Sequence, residues 1–226
     1  MNLKNRAEET ARQIRYRLVR MSHDAKASHL GSALSSVDIL VALYWGILNV
    51  NANNISDPGR DRFILSKGHG IAALYATLAF RGIIKKELLD EYCLPGSHLE
   101  EHPGPNCLPG VEVATGSLGH GLSLGSGMAL ANRINQKESH IYVLLSDGEC
   151  NEGSVWEAAM SAAGNKLKRL CAIVDYNKWQ ATGRSYEVTA LEPLKEKWQA
   201  FGWETHMVDG HNMEALFEVL NKTKNK

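Results

Sequence analysis

The chain has 226 residues, the span of one domain around one well-packed core. Its 25 Lys and Arg balance its 25 Asp and Glu, so no overall electrostatic footprint points to nucleic acid or an anionic membrane. With 44% hydrophobic and 22% charged residues it has the composition of a folded globular domain, and its longest uncharged apolar run, Ile39 to Val50, is too short to cross a bilayer.

Glu8 and Glu9 stand among the first arginines and no apolar h-region precedes or follows them, which argues against a secretory signal and weakens a mitochondrial one. A cytoplasmic enzyme is the expectation. Ala7, Ala11, Ile14, Leu18, Met21 and Ala25 recur at steps of three or four and predict a first helix over residues 7–25. Ser35 and Asp38 resemble a capping box opening a second helix from Val37 to Leu48, followed by a turn-rich loop from Asn51 to Gly59. A third helix is predicted from Ile71 to Phe80.

The stretch from Pro95 to Gly127 carries four of the six prolines, Pro95, Pro103, Pro105 and Pro109, and many glycines, and reads as a long functional loop. A regular alternation then follows: helix to about Asn135, strand His140 to Leu145, helix Ser154 to Ala163, strand Leu170 to Asp175, strand Trp203 to Val208 and helix Met213 to Leu220. Such spacing predicts βαβ units, a mostly parallel sheet and a three-layer α/β/α fold. A single domain over residues 1–226 is expected, with a helical segment 1–60, a core 61–220 and a solvated lysine-rich tail from Lys222. The four cysteines, Cys93, Cys107, Cys150 and Cys171, form no CxxC pair and read as reduced thiols packed as small hydrophobes.

In an open parallel sheet ligands sit beyond the carboxyl ends of the strands. Two apolar runs end in polar residues there: Ile141 to Ser146 leads into Asp147-Gly148, and Leu170 to Asp175 leads into Tyr176-Asn177. With one crossover between them, Asp147 and Asn177 are expected at the same rim. A carboxylate, an amide oxygen and loop carbonyls suit Mg²⁺ beside a diphosphate, and the start of the helix at Ser154 would favour an anion nearby. Alone, the pair reads better as two strand ends solvated in loops.

Asp147-Gly148 followed by Tyr176-Asn177 resembles the thiamine diphosphate signature, GDG and then NN, with Ser146 for the first Gly and Tyr176 for the first Asn. The rest resembles the diphosphate-binding half of the transketolases, in order and over nearly the full length. The stretches are Ala27-Ser-His29-Leu-Gly31, Asp61 to Gly70, Glu101-His102-Pro103, Leu108 to Gly119, Asp147 to Glu157, Asp175 to Gly183 and Val208-Asp-Gly210-His211.

That resemblance implies a thiamine-diphosphate-binding fold with Asp147, Asn177 and the Trp179 carbonyl as Mg²⁺ ligands. It makes His69, Gly148 and His211 diphosphate neighbours and brings Gly116 and Leu118 to the aminopyrimidine side. Glu152 resembles the acid at the contact between subunits, and His29 and His102 the histidines that meet the sugar. Histidine also suits a reaction on a carbonyl on its own chemistry, since it donates hydrogen bonds and moves protons near neutral pH. Two decoys are set aside: His98-Leu-Glu-Glu101-His102 fits a zinc-peptidase pattern but is hemmed in by prolines, and Gly119-His-Gly121 lacks dinucleotide-loop spacing.

The implied function is that of a transketolase subunit. It would transfer a two-carbon ketol unit from a ketose phosphate to an aldose, active only with a separate pyrimidine-binding subunit, in a heterotetramer. His120, where common transketolases carry glutamine, keeps a deoxyxylulose-phosphate-synthase-like alternative open. A 2-oxo acid dehydrogenase component and a non-catalytic scaffold are the others. The family continues past Leu220 with a further strand and loop, so either this sequence is short or the sheet lacks an edge element.

Overall fold

A computed structural model describes residues 2–224. Helix α1 (Leu3–Ala25) is capped by the Asn2 side chain, which accepts from the Asn5 N–H at 2.8 Å, and buries the stripe Ala7, Ala11, Ile14, Leu18 and Met21. Helix α2 (Leu30–Ala42) passes into a π-helical turn, Leu43–Ile47. It starts seven residues before the predicted Val37, because Ser35 and Asp38 spend their side chains on tertiary partners: Ser35 on Asp175, Asp38 on Arg15 and His211. Residues 30–47 are long and apolar enough by composition to cross a membrane, and most of that surface is buried inside the fold.

Strand β1 (Arg62–Leu65) leads through a single 3₁₀ turn into α3 (Ile71–Phe80). Apart from a short 3₁₀ segment at Lys86–Glu91, the chain is then irregular up to α4 (Gly121–Ile134). Strand β2 (Ile141–Ser146), helix α5 (Gly153–Gly164) and strand β3 (Leu170–Asp175) follow. A small antiparallel hairpin of β4 (Trp179–Gln180) and β5 (Gly183–Arg184) precedes the short α6 (Ser185–Val188), then α7 (Leu194–Ala200) and α8 (Met213–Lys224).

The main sheet is parallel in the order β1-β2-β3, with Leu65 opposite Leu144 and Ser146 opposite Asp175. Side-chain alternation divides the apolar residues between two faces. Phe63, Leu65, Tyr142 and Leu144 pack with the α1, α2, α3 and α8 layer, while Ile64, Ile141, Val143 and Leu145 pack with α4, α5 and α7. All six residues of β2 are therefore buried, as a central parallel strand covered on both faces requires, and the fold is a three-layer α/β/α arrangement.

Three more expectations are corrected. The loop read from Pro95 to Gly127 ends at Gly121, where α4 begins, so residues 121–127 are helical. Residues 203–208 form no strand, since the Trp203 N–H turns back to the Trp198 carbonyl and its indole donates to Ala159 of α5, leaving Met207 and Val208 exposed. The predicted solvated tail is helical as far as it is described: Lys222 and Lys224 form the last turn of α8, where the still exposed Lys222 pairs with Glu218 and cations suit the helix dipole; the last two residues of that tail lie outside the described residues. The cysteines are free thiols, and burial pushes Cys150 up to about 12.

Candidate active site

The carboxyl ends of the three strands meet around one buried ion pair. Just past β1, Lys67 is fully buried and its ammonium lies 2.5 Å from the Asp175 carboxylate at the end of β3. The Ser35 hydroxyl donates to the same Asp175 oxygen at 2.5 Å, and the Lys67 ammonium also donates to the Ser32 carbonyl at 3.1 Å. The first turns of α2 are thereby fastened to two strand tips.

At the end of β2, Asp147 is inaccessible to solvent. It accepts from the Gly148 N–H at 3.0 Å, the Lys178 N–H at 3.0 Å and the Ser185 hydroxyl at 2.6 Å, so the turn following β3 does reach it. Burial, the largest influence, pushes its carboxyl upward. No cation lies within ion-pair distance of it among the described residues, in contrast to Asp175. Asn177 and Trp179 flank the Lys178 N–H; the Asn177 side-chain oxygen accepts from the Trp179 N–H at 2.9 Å, and the Trp179 ring is exposed under the Arg184 guanidinium.

A second cluster joins three of the predicted histidines. The ring of His29 lies 5.3 Å from that of His69 and 5.5 Å, edge-on, from that of His102. Burial, then the Lys67 ammonium and the neighbouring rings, depresses His69 to about 4, so it is neutral at physiological pH. His211 is held elsewhere. Its Nδ1 lies 2.7 Å from Asp38, which Arg15 grips from α1, and among the described residues no ring contact joins it to the other three histidines.

The loop from Thr115 to Gly121 is clamped against the strand ends. Glu149, buried, accepts from the Ser66 hydroxyl and from the Gly119 N–H at 2.9 Å, while the Ser154 hydroxyl donates to the Gly119 carbonyl at 2.9 Å. Gly119, at φ +83°, also lies against Glu152, the exposed residue preceding α5. A Cβ on Gly116 would lie 4.0 Å from the His102 Cβ, and half-buried Leu118 stands between Gly116 and the clamp. Gly68 lies so close to Thr115 that a Cβ there would sit 1.3 Å from the Thr115 carbonyl oxygen. His98 and His102 lie in irregular chain and share no helix face.

Two buried polar atoms beside these groups have no hydrogen-bond partner among the described residues: Ser32 Oγ, at the start of α2, and Gln180 Nε2, whose side chain covers Gly148. Sequence reasoning missed both, as well as Glu149 and Lys67. Lys67 did leave one signal, a lysine close after the apolar run Phe63 to Leu65.

Residues 6–226 match the family described as "Transketolase, thiamine diphosphate binding domain". The chain belongs to that family. It is 44% identical over 196 residues to the 6-deoxy-6-sulfo-D-fructose transketolase subunit SqwG of Clostridium sp. (strain MSTE9), covering 87% of this chain and 71% of that one. It is likewise 44% identical over 206 residues to an apulose-4-phosphate transketolase subunit of Phocaeicola vulgatus, covering 91% and 73%. Among solved structures, the transketolase from Campylobacter jejuni superposes with a TM-score of 0.93 at 31% identity, over 100% of this chain and 36% of its own length. Ser32 Oγ and Gln180 Nε2 retain unused hydrogen-bonding capacity near the carboxyl ends of the strands, Gln180 over Gly148.

Proposed function

We propose that the chain is the diphosphate-binding subunit of a two-chain transketolase, which moves a two-carbon ketol unit from a ketose phosphate to an aldose acceptor. The observation that carries this reading is Asp147, a fully buried carboxylate with no cation beside it among the described residues, touching the turn that bears Asn177 and Trp179. Isolated buried carboxylates are costly, and a divalent ion shared with a diphosphate removes the cost. Asp147, the Asn177 side-chain oxygen and the Trp179 carbonyl are the proposed Mg²⁺ ligands. Bound thiamine diphosphate supplies the carbanion stabilisation that cleavage of a ketose C–C bond demands.

The chain's own residues bind and orient. Neutral His69 and the Gly148 backbone are proposed to face the diphosphate, with His211 assigned there on resemblance alone. Gly116 and Leu118 would border the aminopyrimidine, and Glu152 the contact with the second chain. At the open mouth His29 and His102 can donate hydrogen bonds to the sugar's hydroxyl and carbonyl oxygens. Two relatives at 44% identity are named as subunits, which supports a separate partner chain; a pyrimidine-binding partner, two heterodimers pairing to a heterotetramer and a cytoplasmic setting complete the proposal. Exposed Trp179, Tyr186 and Val188, near the Asp147 turn, offer that partner apolar surface.

Calorimetry of thiamine diphosphate binding to the assembled enzyme tests the core of this reading. Asp147→Ala should abolish Mg²⁺-dependent binding and Asn177→Ala should weaken it. Unchanged affinity in both variants would remove the metal assignment.

A further inference from the structure

His29 immediately precedes α2 and holds φ +63°, a left-handed conformation that costs a non-glycine residue free energy unless its surroundings fix it. Its own side chain makes no capping bond. The restraint comes from a distant loop. Glu101 Oε1 accepts from the Ser28 N–H at 2.7 Å and from the Ser28 hydroxyl at 2.5 Å, across 73 positions of sequence.

The placement of this tie is specific. Ser28 is the residue before His29, and Glu101 is the residue before His102. One carboxylate oxygen therefore fastens together the two backbones that carry the two rings, which stand edge to face with centroids 5.5 Å apart. Residues 98–103 belong to no helix or strand, so no ladder of backbone hydrogen bonds does this instead. The donors from Ser28 also hold the Glu101 carboxyl below the usual carboxylate range, keeping it an ionised acceptor at neutral pH.

We propose that Glu101 is a positioning residue that sets the separation and facing of His29 and His102, and through them the hydrogen bonds offered to a ketose substrate. The role rests on the assignment of those histidines to the sugar. Loss of the tie releases His29 from its strained conformation and lets the 98–103 loop drift, and small losses of alignment at a reacting carbonyl are expensive in rate. What the tie needs is an acceptor at Oε1, not a negative charge. Glutamine retains that acceptor and alanine does not.

The test uses two readouts. In the full chain, NMR of the histidine rings should show the proximity of His29 and His102 abolished by Glu101→Ala, weakened by Ser28→Ala and preserved in Glu101→Gln. In the assembled enzyme, kcat/KM for the ketose should fall roughly 10-fold in Glu101→Ala and stay within about threefold of wild type in Glu101→Gln, at unchanged cofactor affinity. Rings that stay together in Glu101→Ala overturn the proposal, as does a Glu101→Gln variant as impaired as the alanine one. Normal turnover in Glu101→Ala overturns it too, and His102→Ala then locates the fault: if that variant is impaired the error lies with Glu101, and if it is also normal the sugar assignment is wrong.

Discussion

Lys67 and Asp175 meet at 2.5 Å across a strand that belongs to neither of them, since β2 lies between β1 and β3 in the sheet. Their ion pair ties the turn that carries His69 to the turn that carries Asn177, so two halves of the candidate site share one buried link. Ser35 and the Ser32 carbonyl complete its hydrogen bonds from α2. A buried pair satisfied on both sides is tolerated, but a buried charge left without its partner is not.

Lys67→Met should therefore destabilise the domain by about 3–5 kcal/mol, because it leaves Asp175 buried and unpaired. The double variant Lys67→Met with Asp175→Leu should lose markedly less than the sum of the two single losses. Urea unfolding of all three provides the cycle. Additive losses would show that the two side chains do not act as a pair.

Gly68 and Gly127 should respond oppositely to alanine. A Cβ on Gly68 would fall 1.3 Å from the Thr115 carbonyl oxygen, a clash with backbone that only a shift of the 115–121 loop relieves. Gly127, within α4, has nothing within 4 Å of the same position. Gly68→Ala should cost several kcal/mol or prevent folding, whereas Gly127→Ala should stabilise the isolated chain by about 0.5–1 kcal/mol through helix propensity. Thermal melts distinguish the two directly.

The elements legible in the sequence were those with strong periodicity. The apolar stripe of α1 is buried at Ala7, Ala11, Ile14, Leu18 and Met21, and α3 and β3 keep their predicted ends. The start of α2 was hidden because His29 enters the helix from a left-handed conformation without a capping side chain, while Ser35 and Asp38 imitate a cap. β1 has four residues, too few to show alternation, and the β-like run at 203–208 is used to pack Trp203 on α5 instead of in the sheet. At the site, the meeting of Asp147 with the turn after β3 follows from adjacent parallel strands. Ser32, Gln180 and Glu149 could not be read in advance, and Lys67 left only its place close after an apolar run, because a polar side chain becomes significant only when the fold buries it.

His69 gives the domain a pH dependence of defined sign. Its folded value lies near 4 against the ordinary histidine value of 6.5, so between those limits the unfolded chain binds a proton that the folded chain excludes. Stability contributed by neutral His69 is complete above about 6.5 and declines as pH falls toward 4, at up to about 1.4 kcal/mol per pH unit. His69→Gln should flatten that decline. Unfolding free energies at pH 7 and pH 5 decide the matter: an identical loss in wild type and variant would mean His69 is not buried neutral.

The chain alone should be catalytically silent. On the proposed assignments its carboxyl edge would supply groups for the diphosphate, the metal and the sugar, and only Gly116, Leu118 and the exposed Glu152 are assigned to the aminopyrimidine side. By resemblance, the acid that activates the cofactor belongs to a second α/β domain facing this edge. The exposed Trp179, Tyr186 and Val188 would be covered by such a domain, removing apolar area from water at about 25 cal/mol per Å². Ketol transfer should appear on mixing with a separately purified pyrimidine-binding chain and saturate at equal molar ratio. Trp179→Ala should raise the concentration of partner required while leaving turnover of the saturated assembly largely intact, because only its carbonyl is assigned to the metal. Robust turnover by this chain without a partner would place the activating acid among its own residues, with Glu152 the first to replace by Gln.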